Sequence, residues 1–277
     1  MLEKAYGKIN LSINVLRRRP DGYHDLDMIM VPIALHDDLQ IEISEQMSYT
    51  GNTDLPFDQH NTICKAIELL RAEFGFRENF RINLTKRIPM QAGLAGGSAD
   101  GAAALRAVNR LLDLGLSEQQ LALRAAKIGM DVCFCIYQRA ARVKGAGEII
   151  EPFEMKRNYE VLLVKPQQGI STGKAYGMLD LERCDHPDIT ALQEALINGE
   201  EITALLGNSL EESAFRLLPE IREIKETVKS FGYNDVLMSG SGSTVFVLLP
   251  EDKQCEELIN ELKNRYNFVI KTQTGLI

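Results

Sequence analysis

The amino-acid sequence predicts a protein of the α+β class with two lobes. Its first segments alternate between apolar and polar residues, as antiparallel strands do, and its later segments interleave short apolar strands with runs of helical spacing. The chain has 277 residues, of which 45% are hydrophobic, and a chain of this length usually exceeds a single core. We therefore expect an N-terminal lobe over 1–153 and a C-terminal lobe over 154–277.

The first predicted strand lies in the segment YGKINLSINVL. Every second residue from Ile9 to Val15 is apolar, and the residues between them are polar. Because successive side chains of a strand point to opposite faces, this pattern predicts one buried face. Lys8 and Asn10 are then expected to project together from the other face.

The next elements form a predicted meander. The turn RPDGYH leads into a second strand near 28–35, and the pair Asp37 and Asp38 separates it from a third strand near 39–43. Helical spacing begins near Thr62, and the segment FRINLTKRI alternates as a further strand. That strand leads into a stretch rich in glycine.

The chain after the glycine stretch is predicted to form helices interleaved with strands. After the glycine stretch, one helix continues to Leu112 and another spans about 117–127. The segments ARVKGAGEIIEPF and YEVLLVKP have the composition of strands. Further helices are expected near 172–181, 188–197, 209–217, 219–230 and 252–265, and further strands on both sides of MSGSGS and near 268–272.

The stretch PMQAGLAGGSADGAAALRAVNRLL joins four glycines to a run of alanine and leucine. Glycine lets backbone N–H groups approach one point, and the first N–H groups of a helix lack intrahelical partners. A strand, a glycine loop and a helix in this order favour an anion site, with Ser98 as helix cap or phosphate donor. A glycine turn that packs a helix on a sheet is the alternative. The stretch lacks the Gly-Lys-Ser/Thr of a Walker A loop and the G-x-G-x-x-G dinucleotide fingerprint.

Composition and charge argue against several classes of function. The net charge of -8 and the pI near 5.2 argue against a protein that binds the phosphate backbone of nucleic acids. No apolar run reaches the roughly 18 residues of a membrane span, and Met1 opens into a patterned segment instead of a signal peptide, so we expect a cytoplasmic protein. The five cysteines and four histidines have no metal-ligand spacing, so buried reduced thiols and no structural zinc are expected.

The chain resembles the GHMP kinase superfamily through four segments, which are KINLSINVLRRRPDGYHDL, IPMQAGLAGGSADGAAAL, GMDVCFC and MSGSGSTVF. The resemblance covers nearly the whole chain, and RPDGYH beside Lys8 and Asn10 narrows it to kinases of a cytidine diphosphate-linked methylerythritol. It implies an N-terminal lobe like ribosomal protein S5 and a ferredoxin-like C-terminal lobe. It also implies ATP-dependent phosphorylation of the 2-hydroxyl of 4-diphosphocytidyl-2-C-methyl-D-erythritol, in the non-mevalonate (methylerythritol phosphate) route to isoprenoid precursors.

The resemblance also assigns roles to individual residues. Asp131 in GMDV would accept the proton of the substrate hydroxyl, while Lys8 would keep that carboxylate ionised and stabilise developing charge. Outside the family pattern, a local turn cap explains Asp131 and a solvated strand lysine explains Lys8. The implied ATP-binding residues are Pro89, Met90, Gln91, Ala92, Gly93, Leu94, Ala95, Gly96, Gly97, Ser98 and Ala99, together with Asn61 and Lys86. The implied substrate-binding residues are Asn10, Tyr23, His24, Thr172 and Tyr176.

By the same resemblance, the cytidine end of the substrate gives the specificity. Tyr23 and Tyr176 would supply aromatic faces for the cytosine ring, and His24 would reach the polar edge of the base. Turn packing is the alternative for Tyr23, and a helix contact with the core is the alternative for Tyr176. For Asn61 and Lys86, ordinary surface roles explain the sequence equally well.

The implied cofactors are ATP and Mg2+, with Ser98 as the candidate protein ligand of the metal beside phosphates and water. A small-molecule substrate is the implied partner, without nucleic acid or membrane, for a monomer or a homodimer. By the same resemblance, Cys133 and Ser243 stand where the family usually has proline, and a shifted backbone beside Asp131 would misplace its carboxylate. Two alternatives stay open, a GHMP kinase of another small alcohol and a catalytically weak protein that binds nucleotide.

Overall fold

Strands and helices of the predicted α+β class make up the computed structural model, which describes residues 1–250 and 255–276. The strands are β1 (Leu2–Arg18), β2 (His24–Ser44), β3 (Ser48–Gly51), β4 (Asn79–Thr85), β5 (Ala141–Gly145), β6 (Ile149–Pro152), β7 (Glu160–Lys165), β8 (Gly207–Asn208), β9 (Val236–Met238), β10 (Val245–Leu249) and β11 (Phe268–Gln273). The helices are α1 (Thr62–Phe74), α2 (Gly96–Leu111), α3 (Glu118–Ala125), α4 (Met130–Tyr137), α5 (Thr172–Gly177), α6 (Ile189–Asn198), α7 (Glu211–Leu217), α8 (Glu220–Ser230) and α9 (Glu256–Arg265).

The chain divides into two units. The first unit comprises Met1–Gly7, Leu35–Met90 and Ala95–Gln138, and the second comprises Lys8–Ala34, Gln91–Leu94 and Arg139–Ile277. Strands β1 and β2 and the glycine stretch therefore contribute residues to both units. The predicted lobe boundary at residues 153 and 154 stays a prediction.

In the first unit, a sheet is accompanied by helices α1 to α4. Strand β4 pairs antiparallel with residues 38–44 of β2 and parallel with β3. Helix α2 contacts α1, α3 and α4. The alanines at 102–104 are fully buried, and a Cβ at Gly101 would lie 3.0 Å from the Cβ of Thr62. Small side chains therefore let the helix that follows the glycine stretch pack closely on its neighbours.

The second unit contains a four-stranded antiparallel sheet in the order β11-β7-β10-β9. Numbered along the chain, this order is 4-1-3-2, as the predicted ferredoxin-like lobe requires. Helix α8 contacts β9 and β10, and α9 contacts β11. In the same unit, residues 26–30 of β2 pair with β5, β5 pairs with β6, and Ser12 and Ile13 of β1 pair parallel with β8.

One long strand replaces two predicted strands. The sequence predicts strands at 28–35 and 39–43 with a turn at the aspartate pair between them, but β2 runs unbroken through both, so this prediction is wrong. Asp37 is fully buried, and its Oδ1 accepts the N–H groups of Arg87 at 2.5 Å and Ile88 at 2.8 Å. Distant backbone donors thus satisfy a polar residue that local turn chemistry would place in a turn.

The helices differ from prediction in two places. Helix α4 forms in GMDVCFC, a segment for which the sequence predicted no element. Helix α5 ends at Gly177, earlier than predicted. Helix α9 begins at Glu256, and the predicted start at 252–254 lies outside the described residues. Within 1–250 and 255–276, no helix combines the length and the apolar composition that crossing a bilayer requires.

Candidate active site

The glycine stretch, from Pro89 to Ala99, ends in the first turn of α2. The helix begins at Gly96, and its N-cap is Ala95, which has φ 57° and makes no side-chain capping hydrogen bond. The first N–H groups of α2 therefore lack a capping side chain, which is how the N-terminus of a helix can bind an anion. Ser98 is the third residue of the helix, so its predicted role as the cap is wrong, and its predicted role as a phosphate donor remains.

Close packing behind this first turn explains the glycine at position 96. A Cβ at Gly96 would lie 2.8 Å from Cγ2 of Ile88 and 3.2 Å from Nζ of Lys86. At Gly97, an added Cβ would meet no atom within 4 Å, while the Gly97 carbonyl accepts a hydrogen bond of 2.5 Å from Oγ1 of Thr62. The backbone of Gly97 is therefore held through its carbonyl and borders open space where a side chain would stand.

The loop between β9 and β10, residues 239–244 and here named the serine loop, holds the earlier part of the glycine stretch. Gly93 has φ 72°, and a Cβ there would overlap the carbonyl oxygen of Ser239. The hydroxyl of Ser239 donates to the carbonyl of Gly93 at 2.9 Å, and the N–H of Thr244 donates to the carbonyl of Ala92 at 3.2 Å. The two glycine-rich motifs of the sequence are thus in direct contact.

Lys8 lies on β1 beside the serine loop. The residue is 3% exposed, its ammonium donates to Oδ1 of Asn10 at 2.6 Å, and its N–H donates to the carbonyl of Leu94 at 3.1 Å. A Cβ added to Gly240 would lie 3.2 Å from Nζ of Lys8. Nδ2 of Asn10 in turn lies 3.3 Å from Sδ of Met28. The structure therefore brings Lys8 and Asn10 together, and a buried ammonium needs such a polar partner.

Asp131 lies in the first turn of α4, within the first unit. Its side chain is half-buried, and the N-cap of the helix is Gly129, which has no side chain to serve as a cap. The N-terminus of a helix favours a negatively charged side chain, so this position stabilises a carboxylate. Cys133, two residues later, is buried, and its Sγ lies 3.4 Å from the carbonyl oxygen of Ala122.

The rings of His24 and Tyr176, two residues predicted to recognise the base, lie close together in the second unit. The ring centroids of His24 and Tyr176 are 4.9 Å apart, and the ring planes are inclined by 32°. Tyr23, the neighbouring residue, is 58% exposed. Burial lowers the pKa of His24, and the positive charge of Arg18 lowers it further. The imidazole is therefore neutral near pH 7 and presents one donor and one acceptor.

Thr172, another predicted substrate residue, is the first residue of α5. Its Oγ1 lies 2.9 Å from Oγ of Ser241, and either hydroxyl can be the donor. The serine loop therefore makes two contacts. It contacts the glycine stretch, and it contacts the start of α5, the helix that carries Tyr176.

Lys86 and Asn61, for which the resemblance implies ATP binding, are engaged by neighbours in the first unit. The ammonium of Lys86 forms ion pairs with Asp37 and with Asp100, the latter at 2.7 Å, and the three side chains are at most 7% exposed. Asn61 caps α1, since its Oδ1 accepts the N–H of Ile63 at 2.9 Å. A role of Lys86 or Asn61 in ATP binding stays a prediction.

Lys86, Asp37 and Asp100 form a buried cluster that no local pattern of the sequence predicts. Burial raises the pKa of Asp100 to about 7; the Lys86 ammonium opposes this rise, and the Asp37 carboxylate adds to it. Oδ1 of Asp100 is buried and has no hydrogen-bond partner among the described residues. The folded protein therefore retains a proton at this cluster at pH values where the unfolded chain has lost it.

Because the folded state holds this proton, we expect its contribution to the free energy of unfolding to fall as the pH rises from about 4 to about 7. The pKa of Asp100 in the folded state lies above its ordinary value of 3.8, so the folded state binds more protons in this window. One such proton changes the free energy of unfolding by at most about 1.4 kcal/mol per pH unit. Urea unfolding between pH 4 and pH 8 should therefore show that Asp100→Asn gains stability relative to wild type as the pH rises.

The control for this measurement is Asp54→Asn, which neutralises an exposed carboxylate of the same unit. Its free energy of unfolding should keep a constant difference from wild type across the same pH range. Parallel curves for all three proteins would contradict the assignment of the proton to Asp100.

The five cysteines are free thiols. Cys133, Cys135 and Cys255 are buried, and Cys64 and Cys184 are half-buried. Burial raises the pKa of Cys64 and of Cys184, so these two thiols stay protonated near pH 7. Within residues 1–250 and 255–276, no group of three or more His, Cys, Asp or Glu side chains could hold a metal ion.

Comparison with known proteins matches both halves of the chain. Residues 61–139 match the family model "GHMP kinases N terminal domain", and residues 189–267 match "GHMP kinases C terminal". The 4-diphosphocytidyl-2-C-methyl-D-erythritol kinase of Geobacillus kaustophilus is 43% identical over 266 residues, 94% of this chain and 92% of the relative. The enzyme of the same name from Bacillus velezensis is 42% identical over 268 residues, 95% of this chain and 93% of the relative.

Solved structures agree with these matches. The crystal structure of a 4-(cytidine 5'-diphospho)-2C-methyl-D-erythritol kinase has a TM-score of 0.85 at 32% identity, over 99% of each chain. A homoserine kinase from Cytophaga hutchinsonii shares the fold, with a TM-score of 0.74 at 16% identity over 99% of this chain and 95% of its own. Because relatives match along nearly its whole length, the chain belongs to the GHMP kinases and, within them, to the 4-diphosphocytidyl-2-C-methyl-D-erythritol kinase family.

Proposed function

We propose that this protein transfers the γ-phosphoryl group of ATP to the 2-hydroxyl of 4-diphosphocytidyl-2-C-methyl-D-erythritol. The observation that carries this proposal is the match to kinases of that name over 92% or more of their own length. The uncapped first turn of α2 gives it an independent physical basis, since a phosphate donor needs an anion site.

The phosphates of ATP are proposed to bind along the glycine stretch, from Pro89 to Ala99. The N–H groups of Gly96, Gly97 and Ser98 lie at the positive end of the α2 dipole and favour anionic oxygens. The open space beside Gly97 lets a phosphate approach the backbone closely. Phosphoryl transfer depends mainly on such positioning, because the protein contributes little covalent chemistry.

Asp131 is the proposed acceptor of the hydroxyl proton. As the 2-oxygen forms a bond to the γ-phosphorus, the bond to the bridging β-phosphate oxygen breaks, ADP leaves, and the proton passes to the carboxylate. The place of Asp131 in the first turn of α4 supports this role, because a helix N-terminus attracts negatively charged groups.

Lys8 is proposed to stabilise the negative charge on the transferring group, and Asn10 to orient Lys8. The support for this role is the burial of the ammonium and its bond to Asn10, which fix a positive charge where solvent is excluded. A fixed charge of this kind stabilises a transition state without reorganising.

The cytidine end is proposed to bind at Tyr23, His24 and Tyr176, with Thr172 holding the polar tail of the substrate. The contact between the rings of His24 and Tyr176 supports this assignment, since aromatic faces stack on bases. The neutral imidazole of His24 can both donate and accept a hydrogen bond, as the polar edge of cytosine requires.

Mg2+ is proposed to accompany ATP. The described residues offer no cluster of acidic side chains or histidines for it, so phosphate oxygens and water would be its main ligands, with the hydroxyl of Ser98 as the protein ligand. The ion would supply positive charge that offsets the charge of the phosphates.

To test this proposal, the purified protein is incubated with ATP, Mg2+ and the diphosphocytidyl alcohol. Mass spectrometry and phosphorus NMR should find a product with one additional phosphate on the 2-oxygen, and one ADP formed for each product. Homoserine, mevalonate and galactose are the comparison acceptors. Turnover with one of these alone would favour a different GHMP kinase, and nucleotide binding without any product would favour a protein that only binds nucleotide.

His24→Ala is expected to weaken the binding of the cytidine substrate while leaving the KM for ATP nearly unchanged. Loss of one base contact of about 1 to 3 kcal/mol corresponds to a decrease in affinity of about 5- to 150-fold. Steady-state kinetics with each substrate varied in turn measures the difference. His60→Ala, at an exposed histidine of the first unit, is the matched control. Equal losses for ATP and for the cytidine substrate would place the base pocket elsewhere.

A further inference from the structure

A buried lysine ends strand β7 of the second unit. Lys165 is 7% exposed, and its ammonium donates to three successive carbonyl oxygens, those of Pro166 at 2.9 Å, Gln167 at 3.3 Å and Gln168 at 3.4 Å. An ammonium has three N–H groups, so each can meet one carbonyl. No acidic side chain in the described part of the chain forms an ion pair with Lys165.

The charge of Lys165 therefore rests on backbone dipoles instead of a carboxylate. Burial lowers the pKa of this lysine, while the charge of Glu220 raises it. Burying a charge costs free energy unless polar groups surround it. Three carbonyl oxygens that point to one place also repel each other, so the cation and the loop at 166–168 stabilise each other.

This loop continues directly into the residues that contact the glycine stretch. A Cβ at Gly169 would lie 2.6 Å from the Cβ of Gln91 and 2.8 Å from its carbonyl oxygen, so the loop is pressed against the backbone of Gln91. The carbonyl of Gln168 also accepts a hydrogen bond of 2.8 Å from the hydroxyl of Ser243 in the serine loop. The path of 166–169 is therefore fixed from three sides.

The same loop leads into helix α5. Ser171 is the N-cap, Thr172 contacts Ser241 of the serine loop, and Tyr176 faces His24. A change in the path of the loop would therefore move both residues proposed to contact the cytidine substrate from this helix. It would also release Gln91 of the glycine stretch.

We propose that Lys165 is a positioning residue, an internal cation that holds the loop at 166–169 and thereby sets α5 and Gln91 for the reaction. As a positioning residue, it touches neither ATP nor the alcohol. The inference rests on the proposed function for its kinetic consequence, while the ordering of the loop by Lys165 is independent of any activity.

The first experiment measures amide hydrogen exchange in peptides that cover 166–176. Lys165→Met removes the cation and keeps a long side chain, and exchange in these peptides should become at least about tenfold faster. Lys271→Met is the matched control, because Lys271 lies on the neighbouring strand β11, is 46% exposed and pairs with Glu160. Exchange at 166–176 that equals wild type in Lys165→Met would overturn the proposal.

A second variant keeps the test decisive if Lys165→Met does not fold. Lys165→Arg retains the buried charge, but a planar guanidinium does not direct three donors around one point. Exchange at 166–176 should then increase by about threefold or more while the melting temperature stays near that of wild type. Unchanged exchange in this variant would equally overturn the proposal.

The kinetic consequence separates positioning from a purely structural role. In folded Lys165→Met or Lys165→Arg, kcat/KM for the cytidine substrate should fall about 10- to 100-fold, since small displacements of positioning groups cost this much. The KM for ATP should change less, because the first turn of α2 is held by other residues, among them Thr62. In Lys165→Ala, added ethylammonium should restore part of the lost rate.

The two proposals fail in distinguishable ways. If the wild-type protein phosphorylates no cytidine-linked alcohol, the proposed function fails, and the exchange experiment still decides the role of Lys165. If the wild-type protein is active and the variants keep its kcat/KM for the cytidine substrate, the positioning role is wrong while the proposed function stands.

Discussion

Asp131→Asn is expected to lower kcat about 100- to 10,000-fold, because removal of a general base costs about this much. Asparagine has nearly the same shape as aspartate and no basic oxygen for the proton of the 2-hydroxyl. The affinity for ATP should stay close to that of wild type, because the proposed phosphate contacts lie on the glycine stretch and the first turn of α2, and not on α4. Rapid-quench measurement of product formation, together with calorimetric titration of ATP, separates these two quantities.

The control for Asp131→Asn is Glu256→Gln, which removes an exposed carboxylate from the first turn of α9. Both variants lose a favourable charge at a helix N-terminus, worth about 0.3 to 1 kcal/mol of stability. Their melting temperatures should therefore fall by similar small amounts, and only Asp131→Asn should lose turnover. An unchanged kcat in Asp131→Asn would remove Asp131 from the reaction.

The sequence predicts those elements that a short hydrophobic repeat or a local run of glycine marks. Alternation from Ile9 to Val15 predicts β1, but the prediction of a single buried face is wrong, because Lys8 and Asn10 are buried as well. The change from glycine to alanine predicts a helix, and α2 begins within the glycines, at Gly96. The four segments that resemble the GHMP kinases also identify the superfamily to which the family models assign the chain. The alternation and the change from glycine to alanine each lie within about twenty neighbouring residues, where propensity and period act.

The features missed by the sequence analysis depend on partners far along the chain. The aspartate pair in β2 has the local chemistry of a turn, but Asp37 is held by backbone donors and by Lys86, about fifty residues later. Asp100 stands among small helix residues, and nothing near it in the sequence shows that a buried lysine pairs with it. Such tertiary contacts override local preference, so pattern alone does not find them.

Gly93→Ala is expected to abolish most of the activity and to lower the stability. The residue has φ 72°, which costs an alanine about 1 to 2 kcal/mol, and the new Cβ would overlap the carbonyl oxygen of Ser239. Relief of this overlap requires the serine loop or the glycine stretch to move. A displacement of about 1 Å at positioned groups costs on the order of 100-fold in rate. Thermal unfolding and steady-state kinetics measure both effects.

The comparison with Gly97→Ala separates a glycine required by the fold from one proposed to be required by the nucleotide. A Cβ at Gly97 meets open space, and alanine is the better helix former, so the stability of this variant should equal or exceed that of wild type. If the phosphates of ATP lie against this backbone, the added methyl group should raise the KM for ATP. Gly93→Ala should instead raise the KM for both substrates, because the serine loop also contacts Thr172. A Gly93→Ala variant with wild-type stability and kinetics would show that the contact between the two loops has no part in the reaction.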